Sequence, residues 1–420
     1  MKNSIIIALF TLLFGSHLAA QQFDMSAEIR PRFESKHGYK TLTVKDANPA
    51  NFISQRTRLN FKYKMDKVKF GLSLQNVRVW GDVSTLSPVD RTSSFHEAWA
   101  QYSFNDHVAF KMGRQEIVYD DHRIFGSVGW AQQARSHDAF IVKHAKGNHK
   151  LDIGLALNAD GQGGKDLLYS NAAGYKTFQY GWYHGDFNNL GISFLALNTG
   201  IEYIDSSTAQ TVDYVQTIGP RLTYKMGKLS ANAAAYFQTG KSSNKDVSAL
   251  YYSANIAYKV MSNFKMGVGV EVLSGKDQND TDKEIKSFAP LFGTNHKFNG
   301  WMDYFYVKNH GGSVGLVDIS IPLIYTKNKF SAKLIPHLFS AAADVYKGTD
   351  VMDSNLGTEI DLNLGYKLSS SVKVNLGYSM MFATETMEVL KKTGDKDEAN
   401  TWAWLMFTFK PNLLSVNKTK

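Results

Sequence analysis

Apolar and polar side chains alternate along most of this chain in runs of about ten residues, each closed by a turn. Asp152-Ile153-Gly154-Leu155-Ala156-Leu157-Asn158 is one such run, and Glu359 to Lys367 and Ser371 to Tyr378 are others. Successive side chains of a strand point to opposite faces, so each run has one apolar and one polar face. The apolar faces are rich in Tyr, Phe and Trp. The pattern predicts an all-β protein, a transmembrane antiparallel β-barrel with lipid outside and water inside.

Turn spacing gives the strand number. Bacterial barrels have short periplasmic turns, long extracellular loops and an even number of strands. Tight turns fall at 65–67, 105–106, 146–148, 187–189, 226–228, 261–263, 327–329 and 368–370. Long polar connections alternate with them: the gap before Phe52, then 81–93, 118–134, 161–172 and 202–211. The series continues with 241–247, 276–312, 344–354 and 391–400. Trp301 to Val307 has strand-like composition, but counting it in the wall gives nineteen strands and breaks the alternation. It is therefore assigned to the interior of the longest loop, Lys276 to Gly312. The wall count is then eighteen, wide enough for an aqueous channel. The last strand is the aromatic run Trp402 to Phe409, followed by a tail, Pro411 to Lys420.

The first twenty residues read as a secretory signal: Lys2, an apolar run from Ile5 to Phe14 too short to span a bilayer, and Leu18-Ala19-Ala20 as a cleavage site. Residues 21–420 read as a single outer-membrane barrel, since no Pro-rich, Ser-rich or low-complexity linker divides them. The chain has no cysteine, which excludes disulfide stapling and thiolate metal sites. A net charge of +9 suits a basic lumen drawing anionic solutes; nucleic acid is not an expected partner.

Alternation assigns the charges, because a charge facing lipid at mid-depth costs roughly 2–4 kcal/mol. Glu28, Arg30, Arg32 and Glu34 face the lumen opposite to Ile29 and Phe33; Arg56, Arg58, Asn60 and Lys62 do so opposite to Leu59 and Phe61. Arg221 and Lys225 face in opposite to Leu222 and Tyr224, as do Lys333 and His337. Arg78 shares its parity with Phe70 and Leu74, which calls for a bulge or an interface position. The ten arginines, Arg91 among them, all lie at or before Arg221. A guanidinium is a planar fork suited to carboxylate or phosphate. One wall of the lumen is thus read as an arginine ladder, with about half the arginines ion-paired to acids such as Glu28, Glu34, Glu97, Glu116 and Asp138.

The stretch Gly113-Arg114-Gln115-Glu116-Ile117-Val118-Tyr119-Asp120-Asp121-His122-Arg123-Ile124-Phe125-Gly126, continued through Trp130 and Arg135 to Phe140, resembles the alginate-export family of outer-membrane porins. His96-Glu97-Ala98-Trp99, Gly300 to Phe305 and Gly315 to Asp318 also fit that family. The resemblance implies an eighteen-stranded monomeric barrel passing an anionic uronate polymer through an electropositive constriction. It carries over Arg114, Glu116, Arg123, Arg135 and Asp138 as constriction or loop-anchoring residues.

Other chemistry finds little support. Asp120-Asp121-His122 reads as a solvated loop, and no nucleophile stands beside a base, so no enzyme is expected. The run Asp277, Asn279, Asp280, Asp282 and Glu284 suits a hard cation such as calcium but lacks EF-hand spacing; a hydrated loop and no cofactor are the default. Gly161-Gln162-Gly163-Gly164-Lys165 is not a phosphate-binding loop. The expected function is passive, selective passage of anionic saccharide across the outer membrane of a Gram-negative bacterium, by a monomer bathed in lipid. The alternatives are a porin for general or other cargo, a surface-binding barrel and a barrel enzyme.

Overall fold

The computed structural model describes residues 21–418 apart from 88, 90, 91, 163–168, 170–173, 206 and 208. The leader read over residues 1–20, Arg91, and most of the Gly161 to Lys165 stretch lie outside the described residues.

Eighteen strands form the wall. They are β1 (Gln21–His37), β2 (Ala50–Met65), β3 (Val68–Val79), β4 (Ser93–Ser103), β5 (Val108–Gln115) and β6 (His137–Lys146). Then come β7 (His149–Leu157), β8 (Thr177–Phe187), β9 (Leu190–Ile204), β10 (Gln210–Met226), β11 (Leu229–Ser242), β12 (Lys245–Met261) and β13 (Phe264–Leu273). The last five are β14 (Leu316–Ser320 with Leu323–Lys327), β15 (Phe330–Ser340), β16 (Asn355–Lys367), β17 (Val372–Ala383) and β18 (Asn400–Phe409 with Asn412–Lys418). Each pairs antiparallel with the next, and β18 pairs with β1 to close the barrel. Closure leaves no row of unpaired backbone groups, which a bilayer would not tolerate.

Prolines split two strands without removing them from the wall. Pro322 and Pro411 lack the N–H that a ladder needs. Their carbonyls still accept, from Gly267 and Ala27 respectively. The tail expected from Pro411 onward is therefore wall: Asn412–Lys418 pairs with Gln21 to Ser26. Lys241 to Val247 also differs from expectation. It is a two-residue turn at Ser243-Asn244, both in the left-handed region at φ 49° and 61°, as a tight hairpin requires.

The alternation sorts the faces as read. Ile29, Phe33, Ile218, Leu222 and Tyr224 are exposed on the outside, while Glu28, Arg30, Arg32, Glu34 and Arg56 are buried within. On β3 the register slips where Ser73 pairs with Glu97 and Leu74 with Phe95, so the bulge belongs to β4 at His96. Arg78 stays on the face of Phe70 and donates to Asn76 at 2.9 Å.

The lumen is not simply wet. The long connections after β5 and β13 turn inward and build an apolar core against the wall. Phe125 and Phe292 from these loops pack on Phe178 and Tyr180 of β8. Trp301 to Val307 lies inside, with Met302 and Tyr304 fully buried. Wall carboxylates receive its backbone: Trp301 donates to Asp361 at 3.0 Å and Met302 to Glu359 at 2.8 Å. A short helix, α1 (Glu385–Lys391), covers this segment, and Lys391 donates to the Tyr304 carbonyl.

Candidate functional site

The strongest concentration of guanidinium groups stands on β1 and β2. In register, Arg30 lies opposite Arg56 and Glu28 opposite Arg58. Side chains two apart share a face, so Arg30, Arg32, Arg56 and Arg58 converge on one lumen wall. Arg56 holds Glu28 through Nε at 2.8 Å, and Arg32 holds Glu34 at 2.8 Å. Four guanidinium groups thus face two carboxylates, and Lys36 shares Glu34 at 3.2 Å. Arg58 donates from Nε to Gln75 at 3.0 Å, while one of its terminal nitrogens is buried with no hydrogen-bond partner among the described residues.

The loop after β5 lies on this ladder. Arg30 donates to the carbonyls of Gly129 (2.8 Å), Trp130 (3.0 Å) and Ala131 (3.3 Å), and to Gln132 Oε1. Arg32 donates to the Trp130 carbonyl at 2.8 Å and lies 3.9 Å from the Trp130 ring centroid. His296 stacks on the same ring at 4.9 Å between centroids, and Trp402 and Trp404 meet it in T-shaped contacts. Above the ladder is a cavity of about 480 Å³, lined by Lys36, Tyr39, Lys40, Phe52, Trp130 and Tyr306 among others.

The remaining residues singled out from the sequence are dispersed. Arg123 is buried and binds Glu271 of β13 at 2.8 Å, with Asn299 at 3.0 Å; it joins the two inward loops to the wall. Arg135 donates to the Gly293 carbonyl at 3.0 Å, and burial pushes its guanidinium below the usual range. Glu116 pairs with His96 at 2.7 Å. Arg221 holds Asp121 at 3.1 Å, and Lys225 is exposed on the lumen face near the periplasmic end of β10. Arg114 and Asp138 require a correction. They pair with each other at 2.8 Å on the outward face, in the parity of Met112 and Val142, and cannot line the pore. Arg32, Arg56, Arg114, Arg123 and Arg221 therefore each hold a carboxylate.

In the oxygen-rich run after β13, Lys286 supplies the countercharge. Its ammonium lies 3.1 Å from Asp280, 3.8 Å from Asp282 and 3.9 Å from Glu284. Among the described residues no three His, Asp or Glu side chains converge as metal ligands.

Residues the sequence did not single out include Gln132, whose amide bonds Ser54 and Arg30, and Lys391. Gln132 carries no charge and breaks no pattern, so nothing marked it.

An eighteen-stranded closed wall, apolar outside and charged inside with loops folded into its lumen, defines an outer-membrane β-barrel of the channel-forming kind. The chain belongs to the alginate-export family, whose model matches residues 21–403, and so to the Gram-negative outer membrane. Solved structures share the fold at low identity. A BenF-like porin from Pseudomonas fluorescens Pf-5 is 14% identical, with a TM-score of 0.62 over 93% of this chain and 99% of that one. Pseudomonas aeruginosa OccK2 (OpdF), solved in complex with glucuronate, is 13% identical, with a TM-score of 0.62 over 93% and 98%. Acinetobacter baumannii OccAB1 is 10% identical, with a TM-score of 0.63 over 93% and 97%. No curated protein sequence matches the chain.

Proposed function

We propose that this protein is a passive channel for anionic saccharides, uronate polymers or oligomers, which move along the arginine wall of β1 and β2. The observation that carries this reading is the ladder itself: four guanidinium groups on adjacent strands against two carboxylates, with a donor of Arg58 left unpartnered. A polyuronate presents one carboxylate per sugar, and forks spaced along a wall can pass it between weak contacts. The family, and a structural neighbour solved with glucuronate, support the same ligand class. The channel acts as a monomer in lipid and uses no cofactor. Cleavage after Ala20 leaves Gln21, the first residue of β1, as the mature terminus.

A porin for other cargo is the second reading. It is favoured by the carboxylates already held by Arg56, Arg123 and Arg221. Swelling of proteoliposomes separates the two. Uronate disaccharides should enter faster than neutral disaccharides of equal size; equal rates would favour the second reading.

A further inference from the structure

The ladder is occupied by the protein's own backbone. Three nitrogens of Arg30, one of Arg32 and one of Arg56 donate to the segment 129–132, mostly to main-chain carbonyls. Those carbonyl oxygens stand where the oxygens of a carboxylate would stand. The roots of the segment are fixed elsewhere. The Val128 N–H donates to Thr294 Oγ1 at 3.0 Å, Gly126 donates to Phe292, and Arg135 donates to Ser127 and Gly293. Between these roots the tip is two successive turns, Ala131 to Val128 and Ala134 to Ala131. Both ends of the tip are in the left-handed region, Val128 at φ 51° and Ala134 at φ 54°. A β-branched residue there is strained, so the tip is held against a local preference for another conformation.

We propose that residues 129–133 are a built-in competitor for the arginine ladder, displaced when the carboxylates of an acidic sugar take the fork of Arg30 and the Nη1 of Arg32, whose other two nitrogens stay on Glu34. The inference rests on the anionic-saccharide reading and adds regulation of that same site. A guanidinium bond to a carboxylate is charged on both sides and roughly twice as strong as one to a neutral carbonyl. Exchange therefore favours the ligand at each fork. The opposing cost is withdrawal of Trp130 from Arg32, His296, Trp402 and Trp404, with loss of the Gln132–Ser54 bonds. One carboxylate must work against that ring alone, whereas an oligomer brings several. The ladder thus stays covered in the presence of small monovalent anions and opens to oligomeric ones.

Hydrogen exchange on the folded full-length barrel, read over 126–136 by mass spectrometry, tests this. Saturating trigalacturonate should speed exchange at 129–134 about tenfold, and neutral maltotriose or acetate should leave it unchanged. Gln132→Ala removes the loop's bonds to Ser54 and Arg30 while leaving every ladder side chain in place. It should loosen the tip without ligand and lower the trigalacturonate concentration needed for release several-fold. If trigalacturonate blocks ion current through the pore but slows exchange at the tip or leaves it unchanged, the displacement proposal is overturned while the substrate reading stands. Wild-type behaviour of Gln132→Ala overturns it as well. Equal block of current by trigalacturonate and maltotriose removes the substrate reading itself.

Discussion

The guanidinium of Arg123 and the carboxylate of Glu271 meet at 2.8 Å in the buried interior of the barrel, loop against wall. Asn299 and the ring of Phe298, 4.5 Å away, complete the enclosure. Removing one partner of a buried pair leaves the other charge unpaired, at about 3–5 kcal/mol. Arg123→Ala should therefore release the inward loops and give noisy, enlarged conductance steps in planar bilayers. Arg123→Ala pores with quiet wild-type steps would show that the pair does not hold the loops.

The Arg114–Asp138 pair sits on the opposite face of the wall, at the extracellular rim one residue from the ends of β5 and β6, with side chains 43% and 60% exposed. An exposed pair is worth about 0–1 kcal/mol. A double-mutant cycle with Arg114→Ala and Asp138→Ala should give a coupling in that range, and the reversal potential in a KCl gradient should not move. A clear shift of the reversal potential toward cations in Arg114→Ala would contradict the outward placement.

Closure depends on the segment beyond Pro411. Truncation after Lys410 removes the register from Gln21 to Ser26 and leaves the start of β1 with an open edge. Such a chain should lose the heat-modifiable migration of a folded barrel on detergent gels. Retention of that migration would mean that Asn412–Lys418 is dispensable.

The loop cluster under α1 should respond to pH. Burial pushes Lys391 down to about 7 and His310 down to about 3. In each case the folded chain binds protons less readily than the unfolded chain. The contribution of His310 is complete above its unfolded value near 6.5 and is lost as pH falls toward 3. That of Lys391 is complete above about 10.4 and is lost as pH falls toward 7. Amides of 301–311, corrected for intrinsic exchange, should be better protected at pH 9 than at pH 5. Lys391→Met should flatten the part of the change above pH 7. Protection that rises toward acid would reverse the sign and refute the account.

Much of the wall was legible in the sequence. Alternation and turn spacing gave eighteen strands and kept Trp301 to Val307 out of the wall, in the longest loop, because both follow from local chemistry and from the even count of a closed sheet; that this loop turns into the lumen was not legible. The outward placement of Arg114 was legible too, since Phe110 and Met112 share its parity; the family motif pulled the reading toward the pore. Pro411 misled because a missing N–H signals a break, whereas its carbonyl kept the ladder through Ala27. What alternation could not reveal is how loops fold over a wall. Arg30 reads as a lumen cation from sequence alone, and only the folded chain shows its donors turned on Gly129, Trp130 and Ala131.

The central claim is that the β1–β2 arginine wall carries acidic saccharides. Block of small-ion current by oligosaccharides of one length, acidic against neutral, measures it most directly, in wild-type pores and in Arg58→Gln. Wild-type pores should be blocked by oligouronate at concentrations at least tenfold below those of the neutral oligomer, with the difference shrinking in high salt. In Arg58→Gln the difference should fall several-fold while unitary conductance is kept. Equal block by the two oligomers in wild-type pores, or an unchanged difference in Arg58→Gln, would contradict the claim.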